Sequence, residues 1–335
     1  MINSSRNGSI SGLGRALPAR RVSNDDLSHW VDTSDEWIRS HTGIESRYLA
    51  GEGETCSSLA IVASRKAIEQ AKVDPSDIGM VICATSTPNY KAFPSTAALI
   101  QDGLGLEQAG AYDLSAACSG FTYALEMGRA MIVAGTTDHV LVVGAEILSS
   151  IVNWQDRNTC VLFGDGAGAA VLSVSEKREG VQFSYLRAVG SGEKALMIER
   201  GGSATALTAE WLEASDDLSS MFISMDGRKV YEFAVRVLVE TINHLLEQAG
   251  ISKDELDHIV PHQANIRIIQ AAAKRSGIPL KKFFINLQEY GNTSAATVPI
   301  ALKDMDDRKL LKKGQKIITI GFGAGLTYGG NYIIW

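Results

Sequence analysis

The feature that most constrains this chain is that it repeats itself. Glu69-Gln70-Ala71-Lys72-Val73 leads into an apolar run, and Glu247-Gln248-Ala249-Gly250-Ile251 leads into another one 178 positions later. The run Val140-Leu141-Val142-Val143-Gly144 matches Ile317-Ile318-Thr319-Ile320-Gly321 at a shift of 177. Two separate segments that agree on nearly one shift point to a duplicated unit rather than to chance. The chain therefore reads as two related halves packed together, 1–175 and 176–335. In that register the turn around Cys118 corresponds to the neighbourhood of Ala295, and Asn292 lies in the same second turn.

Each half reads as α/β. The β-branched runs Ile78 to Cys83, Val140 to Val143, Ile259 to Val260 and Ile317 to Ile320 alternate with stretches of helical period. Helices are predicted over Thr55 to Lys72, Ser119 to Ala134, Asp226 to Ala249 and Ile266 to Ser276, several opened by a small polar residue or closed by glycine. Residues 111–117 suit a buried strand. The segment 191–222 has no clear period and reads as a lid-like loop or an uninvolved surface excursion.

Composition removes several classes of function. With 335 residues, 45% of them hydrophobic and 21% charged, the chain can bury a large core. A formal charge of −6 gives no whole-molecule field to attract nucleic acid or an anionic membrane. The N-terminal residues lack the apolar stretch of a signal peptide and no run reaches the length of a membrane span, so a cytoplasmic protein is expected. Cys56, Cys83, Cys118 and Cys160 are widely spaced with no CxxC pair, which suggests neither a zinc site nor a disulfide framework.

Three segments carry chemistry. Cys118 stands between a strand-like segment and the helix opened by Ser119-Gly120-Phe121, where unpaired N–H groups and the helix dipole favour a thiolate. His262 ends the apolar run Ile259-Val260-Pro261, and strand ends are where α/β proteins hold catalytic groups. Asn292 sits in the turn Gly291-Asn292-Thr293-Ser294 and can donate a hydrogen bond to a carbonyl or enolate oxygen without carrying charge. Taken singly, each has a plain structural reading: a buried thiol, a core histidine, a turn asparagine. Gly321-Phe322-Gly323-Ala324-Gly325 follows a strand and would let backbone N–H groups approach a substrate. Gly164-Asp165-Gly166-Ala167-Gly168 reads as a turn and a site of close packing. His29, His41, His139, His244 and His258 have no motif around them and are left as structural or surface residues.

Together these segments resemble the β-ketoacyl-acyl carrier protein synthase III family. The resemblance runs nearly end to end, through Asp32-Thr33-Ser34-Asp35-Glu36-Trp37-Ile38, Ala117-Cys118-Ser119-Gly120-Phe121, Phe163-Gly164-Asp165-Gly166-Ala167-Gly168, Pro261-His262-Gln263-Ala264-Asn265, Gly291-Asn292-Thr293-Ser294 and the final glycine-rich segment. It implies a thiolase-like fold, a duplicated five-layer αβαβα sandwich, assembled as a homodimer. It implies a decarboxylative condensation of an acyl-CoA primer with malonyl-acyl carrier protein on a Cys118, His262, Asn292 triad, with CoA thioester as substrate and no metal or redox cofactor.

The resemblance also implies an oxyanion hole from the backbone N–H groups of Cys118 and Ala324, and a CoA adenine held between Trp37 and Arg157. It places Phe93, acting across the dimer interface, and Phe163 at the acyl pocket, and gives carrier-protein docking to Arg267 and Lys274. Those two lie seven residues apart on one face of the helix after His262, with Ile266, Ile269 and Ala273 on another. The chain departs from the family pattern at His41, where a further basic residue is usual. Two other readings compete: a same-fold starter-unit synthase or acyltransferase of secondary metabolism, and a catalytically silent carrier-binding partner.

Overall fold

In the computed structural model, which describes residues 6–335, two sheets carry the fold. The first contains β1 (Asn7–Ala16), β2 (Ile78–Ala84), β3 (Gly110–Leu114), β4 (His139–Glu146) and β5 (Gly166–Ser175), in the spatial order β1-β5-β4-β2-β3. The second contains β6 (Gly180–Ala188), β7 (His258–Pro261), β8 (Lys316–Gly323) and β9 (Thr327–Ile334), in the order β7-β8-β9-β6. In the first, β2 is parallel to β3 and to β4, while β5 runs antiparallel to β4 and β1. In the second, β7 and β8 are parallel and β9 runs antiparallel to β8 and β6. Order and direction thus repeat between the sheets. The counterpart of β3 has shrunk to a single parallel bridge between Ile259 and Phe283.

The main helices are α1 (Asp35–Thr42), α2 (Cys56–Ala71), α3 (Gly120–Val133), α4 (Gly227–Ala249), α5 (Ile266–Ser276) and α6 (Thr297–Asp307). The strand pleat explains the layers. Val81, Cys83, Leu141 and Val143 pack outward with α2, whereas Ile82, Ala84, Val140 and Val142 face inward onto α3 and α6. On the far side Ile318, Ile320 and Phe322 of β8 pack against α4 and α5. Helix, sheet, paired central helices, sheet and helix follow in turn, the five-layer sandwich expected. The repeated Glu-Gln-Ala motif proves to be a helix end. Lys72 and Gly250 cap α2 and α4 in the left-handed conformation, with φ of 55° and 64°.

A second pair of equivalent points matters more for chemistry. Ala117 and Ser294, 177 positions apart, both hold positive φ, 45° and 48°. Each begins a single 3-10 turn that feeds a central helix, Ala117–Ser119 into α3 and Ser294–Ala296 into α6. Segment 111–117 differs from the expectation of one buried strand: β3 stops at Leu114 and is a half-buried edge strand. Ser115 to Ala117 leave the sheet to build the turn. In the excursion, Leu196–Met197 pairs with Ser224–Met225, while Leu207, Leu212 and Leu218 are exposed. Among the described residues no helix is long and apolar enough to cross a membrane.

Candidate active site

Cys118 is buried in the 3-10 turn at the start of α3. The glycine-rich loop of the other half closes on it so tightly that a Cβ at Gly323 would lie 2.9 Å from the Cys118 backbone nitrogen and 3.1 Å from Sγ. Only glycine fits there. Hydroxyl groups hold the two segments together. Thr327 Oγ1 is 2.9 Å from both the Ala116 and the Ala324 carbonyl, and Ser119 Oγ is 2.8 Å from Thr327 Oγ1. Burial pushes the Cys118 thiol up to about 12; the Ser294 hydroxyl pulls the other way and the Glu146 carboxylate adds to the rise. Burial thus opposes the thiolate that the helix N-terminus favours.

His262 follows β7, and its N–H donates to Ile320 O of β8 at 2.7 Å. Its Nδ1 lies 2.7 Å from Thr297 Oγ1, the first residue of α6. The Phe322 ring meets the imidazole edge-on, centroids 5.1 Å apart. Burial pulls the imidazole down to about 3, so the ring is neutral at physiological pH.

Asn292 is fixed by its backbone and by one side-chain atom. Its N–H donates to Leu162 O at 2.8 Å, and its carbonyl accepts from Gly164 N–H at 3.0 Å. Those bonds stitch the second half's turn to the Phe163 segment of the first half. Asn292 Oδ1 accepts from Ser294 N–H at 2.8 Å, which turns the amide so that its NH₂ is the side-chain group left to serve a substrate.

One cavity of about 240 Å³ is lined by Cys118, His262 and Asn292 together, although they stand up to 174 positions apart in sequence. Phe163 forms part of its wall, with Phe322, Val230 and Phe233. Leu196 and Met225, at the base of the 191–222 excursion, also line it. Trp37 and His41 line its outer part, with Arg157 Cζ 5.0 Å from the Trp37 ring centroid and His41 stacked on Trp37 at 4.4 Å. Of the two readings left open for His41, structural or surface, the structure shows the structural one: the ring is half-buried in the cavity wall. Arg39 turns away to Asp35 and Glu45.

The other expected residues lie around this core. Ala324 is adjacent to the lining residue Gly323 but does not itself line the cavity. Phe93 is 85% exposed and stands outside the cavity. Arg267 and Lys274 are exposed on α5, and Arg267 donates to Ser40 O at 2.8 Å, beside His41. Asn265 Nδ2 donates to His41 O at 3.0 Å, so α1 and α5 jointly frame the entrance. Sequence reasoning missed Thr297, Thr327 and the α4 wall. The Thr297 contact to His262 spans 35 residues, and no local pattern announces it. Among the described residues no group of three His, Cys, Asp or Glu side chains is gathered as for a metal.

Comparison with known proteins gives a consistent result. Residues 112–190 match the family described as 3-oxoacyl-[acyl-carrier-protein (ACP)] synthase III, and residues 246–335 match its C-terminal counterpart. The chain is 47% identical over 326 residues to a beta-ketoacyl-[acyl-carrier-protein] synthase III of Caldanaerobacter subterraneus, covering 97% of each. It is 45% identical over 324 residues to that of Clostridium perfringens, covering 97% of this chain and 98% of the relative. Among solved structures, the 3-oxoacyl-[acyl-carrier-protein] synthase III of Aquifex aeolicus superposes with a TM-score of 0.89 at 41% identity, covering 98% of this chain and all of that one.

Proposed function

The chain belongs to the 3-oxoacyl-[acyl-carrier-protein] synthase III family, and from that premise we propose that Cys118, His262 and Asn292 perform its decarboxylative condensation. Membership makes it a condensing acyltransferase of fatty acid synthesis. What supports the residue assignment is the single cavity lined by a thiol, an imidazole and a carboxamide that are remote in the chain.

In this reading an acyl-CoA enters past Trp37 and Arg157, the adenine stacking between them, with the thioester at Cys118. The Sγ–C bond forms, and the tetrahedral oxyanion is held by the backbone N–H groups of Cys118 and Ala324. The C–S bond to CoA breaks, and CoA leaves as a thiol with the proton that Cys118 gave up. Malonyl-acyl carrier protein then docks on the α5 face bearing Arg267 and Lys274. Loss of carbon dioxide leaves an enolate, whose oxygen is held by His262 and Asn292. The carbanion attacks the acyl carbon, the C–Sγ bond breaks, and Cys118 recovers a proton from solvent. The chemistry needs no metal or redox cofactor.

The halves 1–175 and 176–335 divide this labour, the first bearing the nucleophile and the second the imidazole and carboxamide. Phe163 walls the acyl pocket. The exposed Phe93 and the open edge of β3 support a homodimer in which Phe93 of the partner subunit completes that pocket. Four free cysteines support a cytoplasmic setting.

The test is to incubate purified protein with acyl-CoAs of several chain lengths, with and without malonyl-acyl carrier protein, while following intact mass and product. An acyl adduct absent from Cys118→Ala, converted to β-ketoacyl carrier protein on addition of the second substrate, is the expected result. Transfer without condensation would favour an acyltransferase, and no adduct with any primer a silent carrier-binding partner.

A further inference from the structure

We infer that Thr297 is a positioning residue for the condensation: its hydroxyl gives its proton to His262 Nδ1, so that the ring proton sits on Nε2 and faces the cavity beside the Asn292 amide. The inference rests on the reading of His262 as a group that holds the enolate oxygen. It adds the device that makes a neutral histidine able to do so.

Thr297 is buried, and its Oγ1 has two acceptors in reach, His262 Nδ1 at 2.7 Å and Ser294 O at 2.9 Å. A hydroxyl carries one proton, and a carbonyl can only accept. If the proton goes to Ser294 O, Nδ1 must supply the hydrogen to Oγ1, and a neutral ring then shows a bare lone pair at Nε2. Such a lone pair repels an enolate oxygen. If the proton goes to Nδ1, Nε2 carries the ring hydrogen and becomes a donor. The buried, uncharged state of the ring makes this choice decisive, because one proton must serve two nitrogens.

Two observations favour the second arrangement; the Nδ1 contact is a hydrogen bond in either one, so its length does not choose between them. A threonine in the first turn of a helix brings Oγ1 near the carbonyl three residues back simply through its rotamer, so the approach to Ser294 O follows from the backbone. The approach to Nδ1 instead requires β7 and α6, from separate layers, to meet at one point. Lastly, Asn292 is arranged in the same sense: its acceptor is taken by Ser294 N–H, leaving the amide donors for the cavity. One four-residue stretch, Ser294 to Thr297, thus turns both side chains into donors.

The experiment is nitrogen NMR of protein carrying labelled histidine, together with separate rates for acylation of Cys118 and for malonyl decarboxylation, in wild type, Thr297→Ser and Thr297→Val. The expected results are an Nε2–H tautomer in wild type and Thr297→Ser, and loss of its dominance in Thr297→Val. In that variant decarboxylation falls about tenfold, the scale of one lost hydrogen bond, while acylation stays near wild type and shows that the fold persists. Thr297→Val added to His262→Ala brings no further loss. An Nδ1–H tautomer in wild type, or undiminished decarboxylation in Thr297→Val, overturns the inference, and the wild-type spectrum decides even if that variant fails to fold. Normal decarboxylation by His262→Ala alone would instead remove the underlying reading of His262, with the tautomer measurement still judging the Thr297 contact.

Discussion

Gly144 in β4 and Gly321 in β8 are equivalent points of the duplicated unit, and each is the seat for the other half's turn. A Cβ at Gly144 would lie 2.4 Å from Ala295 O, and one at Gly321 would lie 2.6 Å from Ser119 Cα. The Cys118 turn therefore rests on the second sheet, and the Ser294–Ala296 turn on the first, so each turn is braced by the sheet of the other half.

Alanine at these two glycines should separate the two chemical steps. Gly321→Ala pushes the Cys118 turn and should slow acylation first; Gly144→Ala pushes the Ser294–Ala296 turn and should slow decarboxylation first. Both contacts are with backbone, so strain cannot be relieved by a side-chain flip, and each variant should lose about 1–3 kcal/mol of stability. Denaturant titration and the two partial rates check this. Equal effects of both variants on both steps would sink the reciprocal arrangement.

The His262 and Asn292 variants follow from the same division. His262→Ala and Asn292→Ala should impair decarboxylation by one to several orders of magnitude while Cys118 still acquires an acyl group, because acylation draws on the backbone oxyanion hole instead. Single-turnover acylation and malonyl decarboxylation, measured apart, decide the matter.

Two buried groups give stability a pH dependence at both ends. The His262 imidazole is pulled down to about 3 in the fold, so between that value and the ordinary histidine value, about 6.5, the unfolded chain binds the extra proton. Stability is therefore complete above the ordinary value and is lost as pH falls, by up to a few kcal/mol. Cys118 works in the opposite range: its thiol is pushed up to about 12, so the unfolded chain ionises first and stability falls as pH rises above about 8.5. His262→Asn should flatten the acid slope, and Cys118→Ala the alkaline one, in urea titrations across pH. Alkylation of resting Cys118 should likewise keep accelerating above neutral pH. A plateau near pH 7 would mean that the helix N-terminus wins after all.

That last contest shows where sequence was legible. The strands and helices could be read because apolar period and caps are local: α5 was predicted over Ile266 to Ser276, the span observed. The duplication was legible because Lys72 and Gly250 end equivalent helices with the same preceding residues. The helix end beside Cys118 was legible because it is written next to the cysteine, whereas the burial of Cys118 was not, because the loop that closes on it follows β8 in the other half. The stacking of His41 on Trp37 is different in kind, an i,i+4 contact within α1 that helical spacing alone could have shown. Edge strand β3 looked like a core strand because nothing in its composition records which strands lie beside it.

Trp37 and Arg157 should act on the first substrate alone. The guanidinium lies 5.0 Å from the ring centroid, so an adenine entering between them must part the pair and replace their contact with two stacking contacts. Trp37→Ala and Arg157→Ala should each raise KM for acyl-CoA about tenfold, on the scale of 1–2 kcal/mol for such stacking, with little change in KM for malonyl-acyl carrier protein. A pantetheine thioester lacking adenine should show almost no difference between variants and wild type. If it does show the same loss, the pair supports the fold rather than the nucleotide.

Arg267 and Lys274 predict the complementary pattern for the second substrate. Their charges stand on exposed α5 next to the entrance framed with α1, so they can steer an acidic partner without touching the reacting atoms. Arg267→Glu with Lys274→Glu should raise KM for malonyl-acyl carrier protein by one to two orders of magnitude at low salt, while acylation by acyl-CoA stays unchanged. Because exposed charges are screened within about 8 Å at physiological ionic strength, the gap between wild type and the double variant should narrow as salt is added. Arg267 also donates to Ser40 O, so Arg267→Glu alone carries a small packing cost that Lys274→Glu lacks. A salt-independent defect confined to Arg267→Glu would assign that residue to holding the entrance, and leave the carrier protein to find another face.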